Sequence, residues 1–200
     1  MLIWVVTGGI ATGKSTFCQL VDQWAGAEIF DCDACVHDLL TTAEVTAIIS
    51  ASFPGEHLLA ENGELDRERL RDLVFSDQAK RKILEGILHP RVRERFKETR
   101  ERVSSDGKTK LLLADIPLFY ETQFNIDHSL EIVVATSPAV QKQRLMERSG
   151  LPEDLANRII SAQLPILAKV AMADCVIWND GSLSSLEDQV TTLRARFFSS

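Results

Sequence analysis

The sequence GGIATGKST, from Gly8 to Thr16, lies between an apolar run at residues 2–6 and a segment with helical periodicity. It matches the pattern G-x-x-x-x-G-K-[ST] in the strand, loop and helix context that the pattern requires. Glycine at both ends permits a tight backbone path along which successive N–H groups point at phosphate oxygens. The helix that follows adds its positive N-terminal end. The stretch therefore predicts a phosphate-binding loop, or P-loop, for a nucleotide.

Each residue type in this loop has an expected role. We expect Lys14 to bridge the β- and γ-phosphates of ATP and the Ser15 hydroxyl to bind a Mg²⁺ ion held between them. The alternative, a glycine turn that only joins a strand to a helix, does not require Lys-Ser at these two positions. The predicted nucleotide-binding residues of the loop are Gly8, Gly9, Ala11, Thr12, Gly13, Lys14, Ser15 and Thr16.

Beyond the loop, short apolar runs alternate with amphipathic helical patterns. This alternation is typical of right-handed βαβ crossovers, so the sequence predicts an α/β fold. We expect a parallel five-stranded sheet of the P-loop NTPase or nucleoside-monophosphate-kinase type, with helices on both faces. The predicted strands are residues 2–6, 28–30, 111–114, 131–135 and 175–178.

One helical stretch interrupts the alternation after the second strand. Residues 34–100 are predicted to form a helical substrate-binding insertion within a single domain that spans residues 1–200. Pro90 is expected to bend or divide a helix near Leu88-His89, because proline lacks an N–H and disfavours a helical residue before it.

A second helical stretch, residues 137–172, follows the fourth strand. Its cationic side chains include Arg144, Arg148, Arg158 and Lys169. We expect this stretch to form a mobile lid, since closure of such a segment would keep water away from a bound nucleotide.

Acidic residues follow two of the predicted strands. Asp31 and Asp33 come after the second strand, and Asp115 ends the third, so their carboxylates are expected at the sheet edge where the phosphates lie. Phosphoryl transfer to an alcohol needs a carboxylate that accepts the hydroxyl proton, and we expect Asp33 to be this base. The alternative is that Asp31 and Asp33 only cap a helix that begins near Ala34. Asp115 is typical of a Walker B carboxylate, which binds Mg²⁺ directly or through water.

The composition excludes several classes of protein. A net charge of −7 argues against general affinity for nucleic acid or anionic membranes. No apolar run approaches the roughly 20 residues that a membrane-spanning helix needs, and the apolar N-terminus lacks the basic residues of a signal peptide. The four cysteines do not suggest a disulfide scaffold at this chain length, so we expect reduced thiols and a cytoplasmic protein.

Several further segments carry a resemblance to one family. Thr7 to Thr16 reads TGGIATGKST, Asp31-x-Asp33 is followed by His37, and residues 115–121 read DIPLFYE. Segments with family-like patterns also lie at residues 63–67, 84–90, 143–148, 158–169 and 173–181. Along nearly its whole length the chain resembles dephospho-coenzyme A kinases, and DIPLFYE is the segment most specific to them.

The resemblance implies transfer of the γ-phosphate of ATP to the 3′-hydroxyl of the ribose in dephospho-coenzyme A, with Mg²⁺ as cofactor. It implies that Asp33 is the catalytic carboxylate near that ribose and that Asp115 serves both metal and substrate. Arg144, with Arg148, would lie over the phosphates, although either arginine would also suit a solvated helix face. Asn179 and its loop would contact adenine. ATP and dephospho-coenzyme A are the expected partners of a monomer or weak homo-oligomer.

The sequence leaves two histidines with two possible roles, one functional and one structural. The resemblance implies that His37 and His89 face the substrate, whereas many partly buried histidines only make structural hydrogen bonds.

Three departures from the family pattern bear on the site. Ala11-Thr12 stands where Gly-Ser is usual, which is tolerable if the φ angle of Ala11 is negative. Phe119-Tyr120 replaces the usual Leu-Phe and adds a hydroxyl that needs a partner. Ala168 stands where an acid commonly precedes Lys169, which leaves the role of that lysine open.

Other activities are less compatible with the sequence. Another P-loop kinase, acting on a nucleoside monophosphate or a sugar acid, would not explain the helical insertion or DIPLFYE. A GTPase switch would need an N-K-x-D guanine signature, which does not occur in the chain. A non-catalytic nucleotide-binding module would keep Lys14 without needing Asp33.

Overall fold

The computed structural model describes residues 1–122 and 124–198. The strands are β1 (Leu2–Gly8), β2 (Ala27–Asp31), β3 (Leu111–Asp115), β4 (Leu130–Ala135) and β5 (Cys175–Trp178). All their pairings are parallel, and the strand order in the sheet is β2-β3-β1-β4-β5. The predicted α/β class and the five predicted strands are confirmed.

Helices connect these strands along the chain. They are α1 (Lys14–Asp22), α2 (Cys32–Leu39), α3 (Ala43–Ser52), α4 (Arg67–Ser76), α5 (Gln78–Ser105), α6 (Phe119–Thr122), α7 (Pro138–Ser149), α8 (Glu153–Ser161), α9 (Ile166–Met172) and α10 (Leu183–Phe198).

The chain divides into two compact units. The first consists of Met1–Asp31 and the chain from Arg102 onward, and it contains the whole sheet. The second is Cys32–Glu101, which is helical apart from an antiparallel bridge between Leu59 and Leu65.

Helices cover both faces of the sheet in the first unit. On one face, Phe17 of α1 and Leu186 of α10 pack with strand residues such as Trp4 and Leu113. On the other face, Ile166 of α9 packs on Val133 and Ala135 of β4. Because both faces are covered, the strands β1, β3 and β4 are almost continuously apolar, as parallel strands usually are.

The second unit also has buried apolar side chains. They include Leu70 of α4, Val92 and Phe96 of α5 and Ile49 of α3. Its helix starts follow ordinary capping chemistry: the Asp66 carboxylate accepts a hydrogen bond from the N–H of Arg69 at 3.0 Å, at the start of α4.

Pro90 does not divide a helix, contrary to the division that we considered from the sequence. It lies inside α5, which continues from Gln78 to Ser105. A proline removes one backbone hydrogen bond, and the burial of Leu88 and Val92 on either side of it holds the two halves in one helix.

All four cysteines are free thiols. Over the described residues, no single helix is both long and apolar enough to cross a membrane. Taken together, α2 and α3 are long and apolar enough for a membrane-spanning segment, but they are bent by 80° at their junction. This match is one of length and composition only.

Candidate active site

The predicted P-loop begins where β1 ends, at Gly8. The side chain of any other residue would collide there, because a Cβ atom on Gly8 would lie 2.5 Å from the carbonyl oxygen of Val134 in β4. Gly13, at the other end of the loop, has a φ angle of +89° and faces the side-chain amide of Asn179. Helix α1 starts directly at Lys14, so the N–H groups of its first turn have no partners within the helix. The loop and helix thus form the anion-binding geometry that the sequence predicts.

Lys14 forms an ion pair with Asp115, at the end of β3. The second oxygen of Asp115 accepts a hydrogen bond from the thiol of Cys18 at 3.4 Å. Burial raises the pKa of Cys18 strongly, and the Asp115 carboxylate adds to the shift, so the thiol stays protonated and acts as a donor. Cys18 lies one helical turn after Lys14, and sequence reasoning gave it no role.

Parallel register explains why Asp115 reaches the loop. Asp115 pairs with Val6 of β1 on one side and with Asp31 of β2 on the other. The last residues of β2 and β3 therefore stand side by side at the edge of the sheet from which the P-loop emerges. The predicted gathering of carboxylates at this edge holds for Asp31 and Asp115.

The oxygen donors at this edge suit magnesium. The Ser15 side chain is exposed on the first turn of α1, and Asp115 supplies a buried carboxylate. Across residues 1–122 and 124–198, no cluster of three or more His, Cys, Asp or Glu side chains could hold a metal alone. Few protein ligands are what Mg²⁺ requires, because it keeps several waters and takes phosphate oxygens from the substrate. These residues therefore fit the predicted ion.

Four side chains, here called the loop collar, bind backbone atoms of the P-loop from outside. The Gln141 amide donates to the carbonyl of Ile10 at 2.9 Å, and the Gln163 side-chain oxygen accepts from the N–H of Ile10 at 2.8 Å. Asn179 donates to the carbonyl of Thr12 at 2.9 Å, and Lys169 donates to the carbonyl of Gly8 at 3.0 Å. The collar thus holds the loop at three successive places.

Sequence reasoning found only part of this collar. Asn179 was expected to contact adenine, which stays a prediction, and its side-chain amide also binds the P-loop backbone. Gln141 was not singled out, although a buried glutamine in a helix is a signal that it serves a fixed backbone partner. Gln163 and Lys169 lay in family-like segments without an assigned role.

Arg144 reaches the same edge from α7. Its guanidinium donates to the carbonyl of Asn179 at 2.8 Å, so it lies on the loop after β5 and, through Asn179, next to the P-loop. Arg148 is exposed in the last turn of α7, one helical turn beyond Arg144. The structure therefore brings Arg144 to the nucleotide-binding edge, whereas Arg148 stands further along the helix.

Asp33, His37 and His89 belong to the second unit. Asp33 is exposed in the first turn of α2, two residues after the end of β2. The guanidinium of Arg67 lies against the ring of His37 and donates to its carbonyl oxygen at 3.2 Å. His89 is half-buried in α5, and burial lowers its pKa, against an opposing effect of Glu85. His37 thus contacts Arg67 and His89 is partly buried, and a functional role for either histidine stays a prediction.

Tyr120 has the partner that its extra hydroxyl requires. The phenol donates to Glu131 of β4 at 2.9 Å. Burial and this acceptor raise the pKa of Tyr120, so the phenol stays protonated. The departure from the family pattern at this position is therefore compensated within the first unit.

Ala11 does not have the negative φ angle under which we considered it tolerable. Its φ angle is +60°, in the left-handed region where glycine is favoured. An L-residue there is strained by about 1–2 kcal/mol because its Cβ atom crowds the backbone. The loop keeps the backbone path of a glycine although its sequence has alanine.

We therefore predict that Ala11→Gly raises the free energy of unfolding by about 1 kcal/mol, since relief of strain exceeds the entropy that glycine adds to the unfolded chain. The control is Ala162→Gly, at a residue with a φ angle of −74°, where the same change should lower the free energy of unfolding by about 0.5–1 kcal/mol. Urea unfolding of both variants measures these effects. A loss of stability in Ala11→Gly equal to that of the control would contradict the strain.

Comparisons with known proteins agree on one family. A family model described as dephospho-CoA kinase matches residues 2–185. The dephospho-CoA kinase of Shouchella clausii is 39% identical over 188 residues, which are 92% of this chain and 93% of that protein. Among solved structures, TT1252 from Thermus thermophilus has a TM-score of 0.83 and 31% identity, covering 98% of this chain and 97% of its own. The dephospho-CoA kinase from Campylobacter jejuni has a TM-score of 0.68 and 27% identity, covering 96% and 94%. The sheet, the P-loop and these matches together establish that the chain belongs to the dephospho-CoA kinase family.

Proposed function

We propose that this chain transfers the γ-phosphate of ATP to the 3′-hydroxyl of the ribose in dephospho-coenzyme A. ATP-dependent phosphorylation of dephospho-CoA, the last step of coenzyme A synthesis, is the reaction of its family. The observation that carries the proposal is the Lys14–Asp115 pair at the mouth of the P-loop in a chain that matches this family over residues 2–185. The position of the acceptor hydroxyl is an inference from the family resemblance.

Lys14 and the loop would hold the triphosphate. Lys14 is paired with Asp115, and we propose that phosphate oxygens replace Asp115 as the partners of the Lys14 ammonium when ATP binds. The carboxylate of Asp115 then becomes available to a metal ion while Cys18 still donates to its second oxygen. The N–H groups of the loop and of the first turn of α1 would stabilise negative charge on the transferring phosphoryl group.

Ser15 and Asp115 are the residues that would hold Mg²⁺. The ion would supply neutralisation of charge on the β- and γ-phosphates. Arg144, which lies on the loop after β5, would add a second cation on the nucleotide side. Arg148 would join it from the next turn of α7.

Asp33 is the proposed general base. Its exposed carboxylate lies in the first turn of α2, within the DxD segment that follows β2. A carboxylate in this role accepts the proton of the attacking hydroxyl and orients the oxygen towards phosphorus. A helix cap alone would not need an acid at Asp33, because asparagine caps equally well.

The remaining predictions concern the two helical stretches. We propose residues 34–100, with His37 and His89, as the substrate-binding insertion, and residues 137–172 as the lid. Gln141, Gln163 and Lys169 bind the P-loop backbone and Arg144 binds the loop after β5, so the part of the lid that moves would be residues 146–162. A cytoplasmic location and a monomer or weak homo-oligomer stay predictions.

The acceptor is tested directly with purified protein and MgATP. We expect ADP release to be stimulated by dephospho-coenzyme A and the product to be coenzyme A. An analogue of dephospho-coenzyme A that lacks the 3′-hydroxyl is the control and should not stimulate ADP release. Stimulation by a nucleoside monophosphate or a sugar acid, with none by dephospho-coenzyme A, would contradict the proposed function.

The roles of Lys14 and Asp33 separate in their effect on nucleotide binding. Lys14→Ala should lower kcat and weaken ATP binding, because this side chain touches the phosphates. Asp33→Asn should lower kcat by about 10²- to 10⁴-fold and leave the ATP affinity unchanged, because it removes only the base. Steady-state kinetics and calorimetry of ATP binding measure both effects.

Asp31→Asn is the matched control for Asp33→Asn, with the same chemical change two residues earlier. Its loss of kcat should be much smaller, because asparagine keeps the capping ability of Asp31. Equal losses in the two variants would argue against Asp33 as the base.

Lid motion is tested by limited trypsin digestion, since Arg144, Arg148 and Arg158 are potential cleavage sites in the lid. We expect MgATP to slow cleavage within residues 146–162, at Arg148 and Arg158, by ordering this segment over the nucleotide. Digestion with the same concentration of MgCl₂ and no nucleotide is the control. Identical cleavage rates in the two digests would rule against a nucleotide-dependent lid.

A further inference from the structure

Lys169 is an unusual lysine because its side chain is entirely buried. It lies in α9, with no solvent exposure, and its ammonium contacts two oxygens of the first unit. One is the carbonyl oxygen of Gly8 at 3.0 Å, and the other is a carboxylate oxygen of Glu121 at 2.7 Å. Glu121 is the last residue of the DIPLFYE segment.

Stability alone does not account for this pair. Removing two charges from water is costly, and an apolar pair of the same volume often gives equal or greater stability. The surroundings of α9 are apolar and would accept such a pair, since Ile166 packs on Val133 and Ala135. The buried charge therefore calls for a role beyond packing.

The position of the Gly8 carbonyl indicates that role. Gly8 is the last residue of β1 and the first of the P-loop. In a planar trans peptide the C=O and the following N–H point in opposite directions. Holding the Gly8 carbonyl towards Lys169 therefore fixes the direction of the Gly9 N–H, which is among the predicted phosphate donors.

Glu121 holds the ammonium in place and cancels its charge. The carboxylate oxygen that binds Lys169 also accepts the N–H of Leu164 at 3.0 Å, which connects α6 to the segment before α9. The other oxygen of Glu121 is buried and has no hydrogen-bond partner among the described residues. Because the pair is neutral overall, its effect on the P-loop is one of geometry rather than of added positive charge.

We propose that Lys169 is a positioning residue for phosphoryl transfer, whose ammonium, held by Glu121, fixes the entry of the P-loop through the Gly8 carbonyl. This inference rests on the proposed function, since it concerns the placement of ATP phosphates. It assigns to Lys169 an effect on the nucleotide and none on the acceptor.

The test uses two neutral pairs in the full-length protein. The methionine pair, Lys169→Met/Glu121→Gln, removes both charges and the donor to Gly8. The glutamine pair, Lys169→Gln/Glu121→Gln, removes both charges and keeps an N–H donor near Gly8. Neither pair leaves an unpaired buried charge, so both should be more stable than Lys169→Met alone.

Kinetics per folded molecule then separate positioning from packing. In the methionine pair we expect kcat to fall by about 10- to 100-fold and the KM for ATP to rise, with the KM for dephospho-coenzyme A unchanged. The glutamine pair should recover part of the loss, because its amide can still bind the Gly8 carbonyl. Thermal unfolding and circular dichroism give the folded fraction.

The control is a matched change at an exposed ion pair of the same unit. Arg102 and Glu28 are 2.6 Å apart, and Arg102→Met/Glu28→Gln should leave kcat and both KM values at the wild-type level. Formation of coenzyme A by the wild-type protein tests the proposed function separately.

Two results would overturn the positioning role. The first is a folded methionine pair with wild-type kcat and KM for ATP. The second is an equal loss in the methionine and glutamine pairs, which would mean that the donor to Gly8 has no part. If the methionine pair does not fold, the glutamine pair alone is the test. A folded glutamine pair would contradict the proposal if its kcat fell by more than about 100-fold or if its KM for ATP were unchanged.

Discussion

Parallel pairing of β3 with both β1 and β2 is the constraint on which the site depends. It brings the end of β3, at Asp115, beside β1 and the last residue of β2. Because all strands run in one direction, their carboxyl ends meet at one edge, and the P-loop leaves β1 at this edge. A shift of β3 by one residue would turn the Asp115 side chain to the opposite face and separate it from Lys14.

The P-loop satisfies the Gly9 carbonyl from within, through Thr12, and the tertiary structure supplies partners for other carbonyls of the loop. Backbone carbonyls that take no part in a helix or sheet need such partners when they are buried. Gln141, Lys169 and Asn179 donate to three of these carbonyls, and each of the three side chains is buried. A loop held in this way has less freedom to lose when it binds a nucleotide, which favours tight and precise placement of the phosphates. The strained φ angle of Ala11 persists because the same contacts over-determine the backbone.

Local electrostatics reconcile an acidic chain with anionic substrates. The net charge of −7 would repel ATP and dephospho-coenzyme A at long range. At the edge of the sheet, however, Lys14, the start of α1 and Arg144 lie together. Lys14 is kept in place by Asp115, and Lys169 is neutralised by Glu121. Each of these two cations thus has a carboxylate partner, which makes its position in the fold compatible with stability.

Many local features of this protein are predictable from short stretches of its chain. The five strands, the P-loop and the acid at the end of β3 follow from short-range patterns, because hydrophobic periodicity and glycine spacing act over a few residues. Pro90 was expected to bend or divide its helix, and division was wrong, because packing on both sides outweighs one lost hydrogen bond. The condition under which alanine would be tolerable at position 11, a negative φ angle, is not met, because the loop path is set by its surroundings rather than by the residue.

The identity of the side chains that hold the loop follows from long-range folding. Gln163 binds Ile10 across 153 positions of sequence, and Lys169 binds Gly8 across 161. Nothing in the residues near Gly8 specifies these partners, since the sequence alone gives no reason to place Gln163 or Lys169 against the loop rather than in solvent. Likewise, the Cys18 thiol donates to Asp115 only because the fold brings α1 next to the end of β3. Such contacts depend on where the crossovers place helices that are distant in sequence, and local sequence patterns do not predict that placement.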